Sequence, residues 1–246
     1  MSLSPPEGYG PLRRERLRTA RLYFCCEARP GGQDPEALLR AALGGGVDIV
    51  QLREKKLGRA EIERAASTFR RVCDTYSALF IVNDDPELAH TLAADGVHVG
   101  QDDASAEDAR KLLGPEAIIG LSTHSEEQIA ASAERPVDYI SVGPIWETPT
   151  KEGRPAVGLE LVAHAADHAT RPFFAIGGID PTNAEQVVQA GARRLCAVRA
   201  IRDAADPGAA AAALRRAFGA AEGAGANGQD ALMGGPAAWR GVAPGG

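Results

Sequence analysis

The feature that most constrains this 246-residue chain is a regular alternation between short apolar runs and longer helical stretches. The apolar runs are rich in Val, Ile and Leu, as expected of strands that are buried on both faces of a sheet. Eight such runs are predicted as strands, over residues 21–26, 47–52, 79–83, 96–99, 117–121, 139–142, 173–176 and 193–198. Strands of this kind need helices packed against their outer face.

The stretches between the runs have helical character. They span residues 34–44, 58–77, 86–94, 105–113, 125–134, 159–169, 181–190 and 207–218. Asp34, Ser125 and Asp180 stand where N-caps belong, and Pro35 and Pro181 stand in the first helical turn. Repeated strand–helix units form parallel sheets, because their crossovers are right-handed. Eight units predict an α/β chain folded as a single (β/α)8 TIM barrel.

The two ends of the chain differ from its middle. Residues 1–19 are polar and aperiodic, and residues 219–246 are mostly Gly and Ala. Both offer too little apolar surface to offset the entropy lost on ordering the backbone. We therefore predict a flexible extension over 1–19, the barrel over 20–218, and a flexible tail over 219–246.

The composition of the chain limits the classes of partner that it can bind. A formal net charge of −6 argues against a broad nucleic-acid surface, which is normally basic. No apolar run approaches the roughly 18 residues that span a bilayer, and the first twenty residues lack the apolar core of a signal peptide. We expect a cytoplasmic protein that binds small molecules, with no nucleic-acid or membrane partner. The sequence leaves open whether it forms a homo-oligomer.

Polar residues follow nearly every predicted strand, at the edge where barrel enzymes hold their active sites. After the second strand, alternation places Gln51, Arg53 and Lys55 on one side, and Leu52 and Glu54 on the other. Two cations and an amide at a strand end form an anion clamp, since Arg offers a bidentate fork and Lys a compact charge. A solvated charge cluster leading into a helix explains the same residues equally well.

Carboxylates follow the third and fourth strands. Asn83 and Asp84 end one, and Asp102 and Asp103 come shortly after the other. Hard oxygen donors without Cys or His suit Mg²⁺, which takes its remaining ligands from water and phosphate. Helix capping is the alternative function of these aspartates, particularly Asp85 and Asp102.

The fifth strand ends in Ser122, with His124 two residues later. We find no G-x-S-x-G elbow and no base paired with Ser122, so a Ser-His-Asp hydrolase is disfavoured. His124 is interpreted as a cap or an outer residue of the site. His98, inside the fourth strand, is interpreted as structural.

The last three strands carry candidate phosphate contacts. Thr148, Thr150 and Lys151 follow the sixth strand, in the longest connection without helical character. The turn Gly177-Gly178 follows the seventh strand and opens a predicted helix, whose free N–H groups suit an anion. Val198 and Arg199 end the eighth strand, and the loops after strands seven and eight are the usual phosphate site of this fold.

Seven motifs occur in order over residues 20–218. They are VQLREK at 50–55, VND at 82–84, DGVHVGQDD at 95–103, GLS at 120–122, GP at 143–144 with TPTK at 148–151, GL at 158–159 and IGGI at 176–179. In these motifs and their spacing, the chain resembles the thiamine phosphate synthase family.

The resemblance implies a reaction and its site. Members join 4-amino-5-hydroxymethyl-2-methylpyrimidine diphosphate to 4-methyl-5-(2-hydroxyethyl)thiazole phosphate, by a dissociative step that releases pyrophosphate. By similarity, Asp84 and Asp103 hold Mg²⁺. The contacts to pyrimidine diphosphate are Gln51, Arg53, Lys55, Asn83, Ser122 and Lys151, of which Arg53, Lys55, Ser122 and Lys151 assist catalysis. The contacts to thiazole phosphate are Thr148, Thr150, Gly178, Val198 and Arg199.

Two positions depart from the family pattern. Arg199 stands where Ser is common, and we expect its guanidinium to strengthen binding of a phosphate dianion. Trp146 stands where Phe is frequent, which we expect to be tolerated.

Two other functions fit the same barrel. A thiazole tautomerase would handle only the thiazole half, and a phosphate-ligand sensor would need no catalysis. Neither needs a diphosphate or metal site. The complete set Gln51, Arg53 and Lys55, together with Asp84 and Asp103, therefore favours the synthase.

Overall fold

The structure, a computed structural model, describes residues 9–148 and 155–229, with side chains described through residue 219. Its eight strands are β1 Leu22–Cys26, β2 Ile49–Leu52, β3 Leu79–Asn83, β4 Gly96–Val99, β5 Ile118–Thr123, β6 Tyr139–Val142, β7 Phe173–Ile176 and β8 Leu195–Ala197. They pair in parallel, in sequence order, and β8 closes on β1. The predicted (β/α)8 barrel is confirmed.

Helices surround this barrel. They are α1 Tyr9–Thr19, α2 Glu36–Gly44, α3 Arg59–Tyr76, α4 Pro86–Thr91, α5 Ala106–Leu113, α6 Glu126–Ala131, α7 Gly158–His168, α8 Ala184–Gln189, α9 Arg199–Arg202 and α10 Pro207–Gln229. Short 3₁₀ helices occupy Pro30–Gly32 and Ser132–Glu134. In the part of the chain described, no helix combines the length and the apolar character needed to cross a bilayer.

Strand alternation divides the apolar side chains into two groups. One group, including Ile49, Ile81 and Phe174, fills the barrel interior. The larger group packs between the strands and the surrounding helices, as Phe24 and Phe80 do. The four cysteines are buried and reduced, and they divide in the same way.

Helix starts follow the predicted caps only in part. Ser125 caps α6 by accepting the Gln128 N–H at 3.3 Å. Asp180 instead accepts the Thr182 N–H at 2.7 Å, in a turn that delays α8 to Ala184. The helix predicted from residue 181 therefore starts three residues later than expected.

Residues 9–19, which fall in the predicted N-terminal extension, form the helix α1. Leu17 and Arg13 are buried, and Arg13 Nε donates to Asp95 at 2.9 Å. Long-range contacts hold this helix, among them a second ion pair between Arg14 and Asp138 and a hydrogen bond from Arg194 to the Arg18 carbonyl. These partners cannot be read from local sequence. Residues 1–8 lie outside the described residues.

The C-terminal boundary also differs. Helix α10 continues to Gln229, beyond the predicted end at residue 218. Ala has the highest helix propensity, and extending an existing helix needs no new nucleation. Residues 230–246 lie outside the described residues.

Three aspartates at the amino ends of the strands repeat one arrangement. Asp48, Asp95 and Asp138 directly precede β2, β4 and β6, and each accepts a backbone N–H from the preceding strand. The donors are Leu22, Phe80 and Ile119, at 2.9, 2.8 and 2.8 Å. Each aspartate also pairs with arginines: Arg215 for Asp48, Arg13 and Arg70 for Asp95, and Arg110 for Asp138. Before β8 the same position is Arg194.

Candidate active site

A cavity of about 380 Å³ opens at the carboxyl ends of the strands, where the fold predicts the active site. Its size suits a small-molecule ligand. Eight predicted site residues line it: Gln51, Arg53, Asn83, Ser122, Thr148, Gly178, Val198 and Arg199. Thr150 and Lys151 lie outside the described residues.

The predicted alternation after β2 holds for Gln51 and Arg53, which both line the cavity, but not beyond them, because β2 ends at Leu52 and Glu54 and Lys55 line a common second cavity. Gln51 is buried in the barrel mouth, while Arg53 lines both the cavity and an adjoining cavity of about 480 Å³. Arg29, Lys55 and Lys56 also line this second cavity. Glu54 also lines the second cavity, and its carboxylate accepts backbone N–H groups of its own loop, including that of Lys56 at 2.8 Å. These bonds fix the loop, so Arg53 and Lys55 project from a defined backbone.

Asp84 and Asp103 meet at the rim of the mouth. Lys55 Nζ donates to Asp84, and Gly100 N–H donates to Asp103 Oδ2 at 2.8 Å. Asp84 has φ 64°, a left-handed conformation that Asp adopts more readily than most residues. Burial raises the pKa of Asp84, the Lys55 ammonium opposes this rise, and the Asp103 carboxyl within hydrogen-bonding reach adds to it.

The donor chemistry of this pair fits a hard divalent cation. Two adjacent carboxylates repel each other when both are ionised, and a cation between them relieves that repulsion. Within residues 9–148 and 155–229, no group of three or more His, Cys, Asp or Glu side chains forms a complete metal cage. Mg²⁺ does not need one, because it keeps several waters and takes phosphate oxygens as ligands.

The neighbouring carboxylates have separate roles. Asp85 caps α4 by accepting the Leu88 N–H at 2.8 Å, as the capping alternative predicted for it. Asp102 is exposed.

Ser122 has a neighbouring imidazole, contrary to the expectation from the sequence that no base pairs with it. His98 Nε2 lies 3.0 Å from Ser122 Oγ, and both residues line the cavity. The pairing was missed because His98 and Ser122 come from adjacent strands, β4 and β5, with no shared motif. The other ring nitrogen of His98 contacts the Tyr139 hydroxyl at 3.0 Å, at the position where a catalytic triad has a carboxylate.

His124 holds the loop after β6. Its Nδ1 contacts the Gly143 carbonyl, and its backbone N–H donates to Gln128 at 2.7 Å. This agrees with the interpretation of His124 as a residue that supports the site.

The glycines after β7 are required by close packing. Gly177 has φ 108°, and a Cβ there would lie 2.4 Å from Pro144 Cα. Gly178 has φ 68°, and a Cβ there would lie 2.9 Å from the Trp146 Cβ. The turn therefore brings the backbone to the cavity wall, although α8 begins too late to present its first N–H groups at Gly178.

Arg199 begins α9 and is exposed at the cavity wall. Asp203 lines the same wall. The pKa of Asp203 is lowered chiefly by its hydrogen bonds from Arg202, with a smaller contribution from the Arg199 charge. Arg199 thus brings a positive charge to the predicted thiazole phosphate site, and Asp203 offsets part of it.

Several lining residues were absent from the prediction. They are Tyr23, Cys25, His98, Ser141, Phe174 and Cys196. All stand on strands with side chains facing the barrel interior, so the period-two alternation could have identified them once the inward phase of each strand was assigned.

Comparisons with known proteins agree with this geometry. A family model described as thiamine monophosphate synthase matches residues 22–201. The thiamine-phosphate synthase of Thermobifida fusca is 51% identical over 210 residues, covering 85% of this chain and 96% of that protein. The thiamine-phosphate synthase of Thermus thermophilus is 47% identical, covering 82% of this chain and 98% of that protein.

Solved structures lead to the same family. A thiamine phosphate pyrophosphorylase from Pyrococcus furiosus superposes with a TM-score of 0.75 at 29% identity, covering 85% of this chain and 98% of that one. A 3-hexulose-6-phosphate synthase, at 19% identity and a TM-score of 0.59, shares the fold. With a matching barrel, a matching family model and relatives near half identity, the chain belongs to the thiamine monophosphate synthase family of enzymes.

Proposed function

We propose that this protein joins 4-amino-5-hydroxymethyl-2-methylpyrimidine diphosphate to 4-methyl-5-(2-hydroxyethyl)thiazole phosphate, forming thiamine monophosphate and pyrophosphate. The observation that carries the proposal is the meeting of Asp84 and Asp103 beside Lys55, directly after Asn83, which lines the substrate-sized cavity. Such an arrangement suits a ligand with several negative charges and a divalent cation.

In this proposal Asp84 and Asp103 hold Mg²⁺. The ion would supply positive charge to the diphosphate as it leaves. Arg53 and Lys55 add fixed charge from the β2 end, and Lys151 is proposed to add a third. Asn83 and Gln51 donate or accept hydrogen bonds at the cavity wall and orient the pyrimidine diphosphate.

The bond between the pyrimidine methylene carbon and the diphosphate oxygen then breaks, and the bonding electrons leave with pyrophosphate. The thiazole nitrogen captures the resulting pyrimidinylmethyl cation with its lone pair. Such a step depends on stabilising the leaving group more than on a protein nucleophile. The second substrate is proposed to lie against Thr148, Thr150, Gly178, Val198 and Arg199, where the Gly178 backbone and the Arg199 charge suit a phosphate.

The test is pyrophosphate release by the purified protein with both substrates and Mg²⁺. We expect release that stops when EDTA is added, returns with excess Mg²⁺, and is absent when either substrate is omitted. Failure to release pyrophosphate with both substrates and Mg²⁺ present would remove the synthase proposal. Isomerisation of a thiazole phosphate without diphosphate would instead indicate a tautomerase.

A further inference from the structure

A chain of hydrogen bonds crosses the barrel beneath the cavity. Gln51 Nε2 donates to the Tyr23 hydroxyl at 2.9 Å, and the Tyr23 and Tyr139 hydroxyls are 2.9 Å apart. Tyr139 contacts His98 Nδ1 at 3.0 Å, and His98 Nε2 contacts Ser122 Oγ at 3.0 Å. The chain thus joins two predicted substrate contacts, Gln51 and Ser122, through side chains from five different strands.

The residues of this hydrogen-bond chain are shielded from water, so each of their polar protons needs an acceptor within the protein. All five residues are buried, and Tyr139 is fully inaccessible. Burial raises the pKa of Tyr23 and of Tyr139 well above the ordinary value, so both remain neutral hydroxyls with one proton each. A buried hydroxyl proton without an acceptor is unfavourable, so each proton must be directed to a neighbour.

The donors and acceptors available at each residue determine which group donates in each hydrogen bond of this chain. The Gln51 amide nitrogen can only donate, so the Tyr23 oxygen accepts there and its proton points to Tyr139. The Tyr139 proton then points to His98 Nδ1, which must accept it. A neutral imidazole that accepts at Nδ1 carries its proton on Nε2, and that proton points to Ser122 Oγ, with Ser141 Oγ more distant at 3.4 Å.

We propose that Tyr139 is a positioning residue that holds His98 as the Nε2–H tautomer, so that the Ser122 hydroxyl donates its own proton into the cavity. In the opposite direction, Ser122 would donate to His98 and present only lone pairs to an anionic ligand. The assigned direction also prevents His98 from removing the Ser122 proton. The close Ser122–His98 pair is therefore a hydrogen-bond donor to an anion and not a nucleophile with its base.

This inference deepens the proposed synthase function and rests on it for the identity of the anion, the diphosphate. Tyr139 itself does not line the cavity. Its effect on turnover therefore passes through His98 and Ser122.

Two matched variants separate positioning from packing. Tyr139→Phe removes the hydroxyl that donates to His98, whereas Tyr23→Phe removes a hydroxyl of the same chain but leaves the Tyr139–His98 bond in place. Both delete one buried oxygen, so their effects on thermal stability should be similar. Only Tyr139→Phe should change the His98 tautomer.

The tautomer is read from the ¹⁵N shifts and long-range proton couplings of the His98 ring, with its signals assigned by their absence in His98→Gln. We expect the Nε2–H form in the wild type and in Tyr23→Phe, and a mixture of tautomers in Tyr139→Phe. An Nδ1–H form in the wild type, or an unchanged tautomer in Tyr139→Phe, would overturn the assignment.

Kinetics supply the second readout. In Tyr139→Phe we expect kcat to fall about tenfold, the lower end of what loss of an outer hydrogen bond costs an active site, while the KM for thiazole phosphate stays unchanged. Unchanged kcat would contradict a role in positioning. The tautomer measurement needs no substrate, so it tests the inference even if the synthase proposal fails.

Discussion

Both ends of the barrel carry aspartates, but their surroundings are opposite. At the amino end, Asp95 is 1% exposed and is held by two arginines and a backbone N–H. At the carboxyl end, Asp84 is 25% exposed and faces Lys55 on one side and a second carboxyl, Asp103, on the other. The negative charge of Asp95 is already balanced by its arginines. At the carboxyl end two carboxyls lie beside the Lys55 ammonium, so binding of a further cation would lower their electrostatic energy. Aspartates thus stabilise the fold at the amino end of the barrel and form a candidate cation site at the carboxyl end.

The largest expected effect is on activity, at the mouth. Asp103→Ala should lower kcat/KM by at least ~10²–10³, the range for loss of one preorganised electrostatic contact. Unfolding should be almost unaffected, because the side chain is exposed and its contacts are to the Gly100 N–H and to another carboxyl, that of Asp84. Steady-state pyrophosphate release and urea unfolding measure the two quantities.

The matched control for this variant is Asp102→Ala, which removes the neighbouring exposed carboxylate. It should retain wild-type activity to within about twofold, since surface charges contribute little. Equal losses in both variants would mean that general negative charge, and not the Asp84–Asp103 pair, supports catalysis.

The next effect is on stability, at the amino end. Asp95→Asn should lower the free energy of unfolding by about 3–5 kcal/mol, because it leaves the buried Arg13 guanidinium without a counter-charge. Activity at low temperature should survive, since the cavity lies at the other end. Urea unfolding with Asp74→Asn as control tests this, because Asp74 pairs with Arg70 from an exposed position and its loss should cost less than about 1 kcal/mol. An unchanged midpoint in Asp95→Asn would refute the stabilising role.

A third substitution, at Asp84, should stabilise the protein where the previous one destabilises it. The raised pKa of Asp84 means that the fold favours its protonated form, so the ionised form costs stability as pH rises through that pKa. Without divalent cations, Asp84→Asn should therefore melt slightly higher than the wild type at neutral pH. The difference should vanish below about pH 3.9, the ordinary Asp pKa.

Mg²⁺ should reverse the order of the melting temperatures of the wild type and Asp84→Asn. Added Mg²⁺ should raise the melting temperature of the wild type but not that of Asp84→Asn, because ligand binding to the folded state stabilises it. Melting curves with and without Mg²⁺ across a pH series test both statements. Equal Mg²⁺ shifts in the two proteins would show that Asp84 is not a ligand.

The smallest expected effect concerns Arg199. Arg199→Ser should raise the KM for thiazole phosphate only about two- to fivefold, because the guanidinium is exposed and Asp203 offsets part of its charge. Arg193→Ser, an exposed position two residues before the start of β8, should leave that KM unchanged. If the two variants behave alike, Arg199 is not part of the phosphate site.

Much of the mouth could be predicted because a barrel places every strand end at one edge. Gln51 and Arg53 were found from strand alternation, and Asp84 and Asp103 from their positions after neighbouring strands. The amino end was not predicted. Asp95 and Asp138 directly precede predicted strands, but Asp48 falls inside the predicted bounds of the second strand, 47–52. The repeat became visible only with the observed start of β2 at Ile49.

The sequence alone determined the eight strands, the barrel and the set of polar residues at its mouth, because these depend on local periodicity and on rules that hold for every strand–helix unit. Tertiary structure decided which side chains meet. It paired His98 with Ser122 and Tyr139, placed Asp84 against Asp103, and docked α1 through Arg13 and Asp95. These partners are distant along the chain, and only the closure and stagger of the barrel bring their atoms within bonding distance.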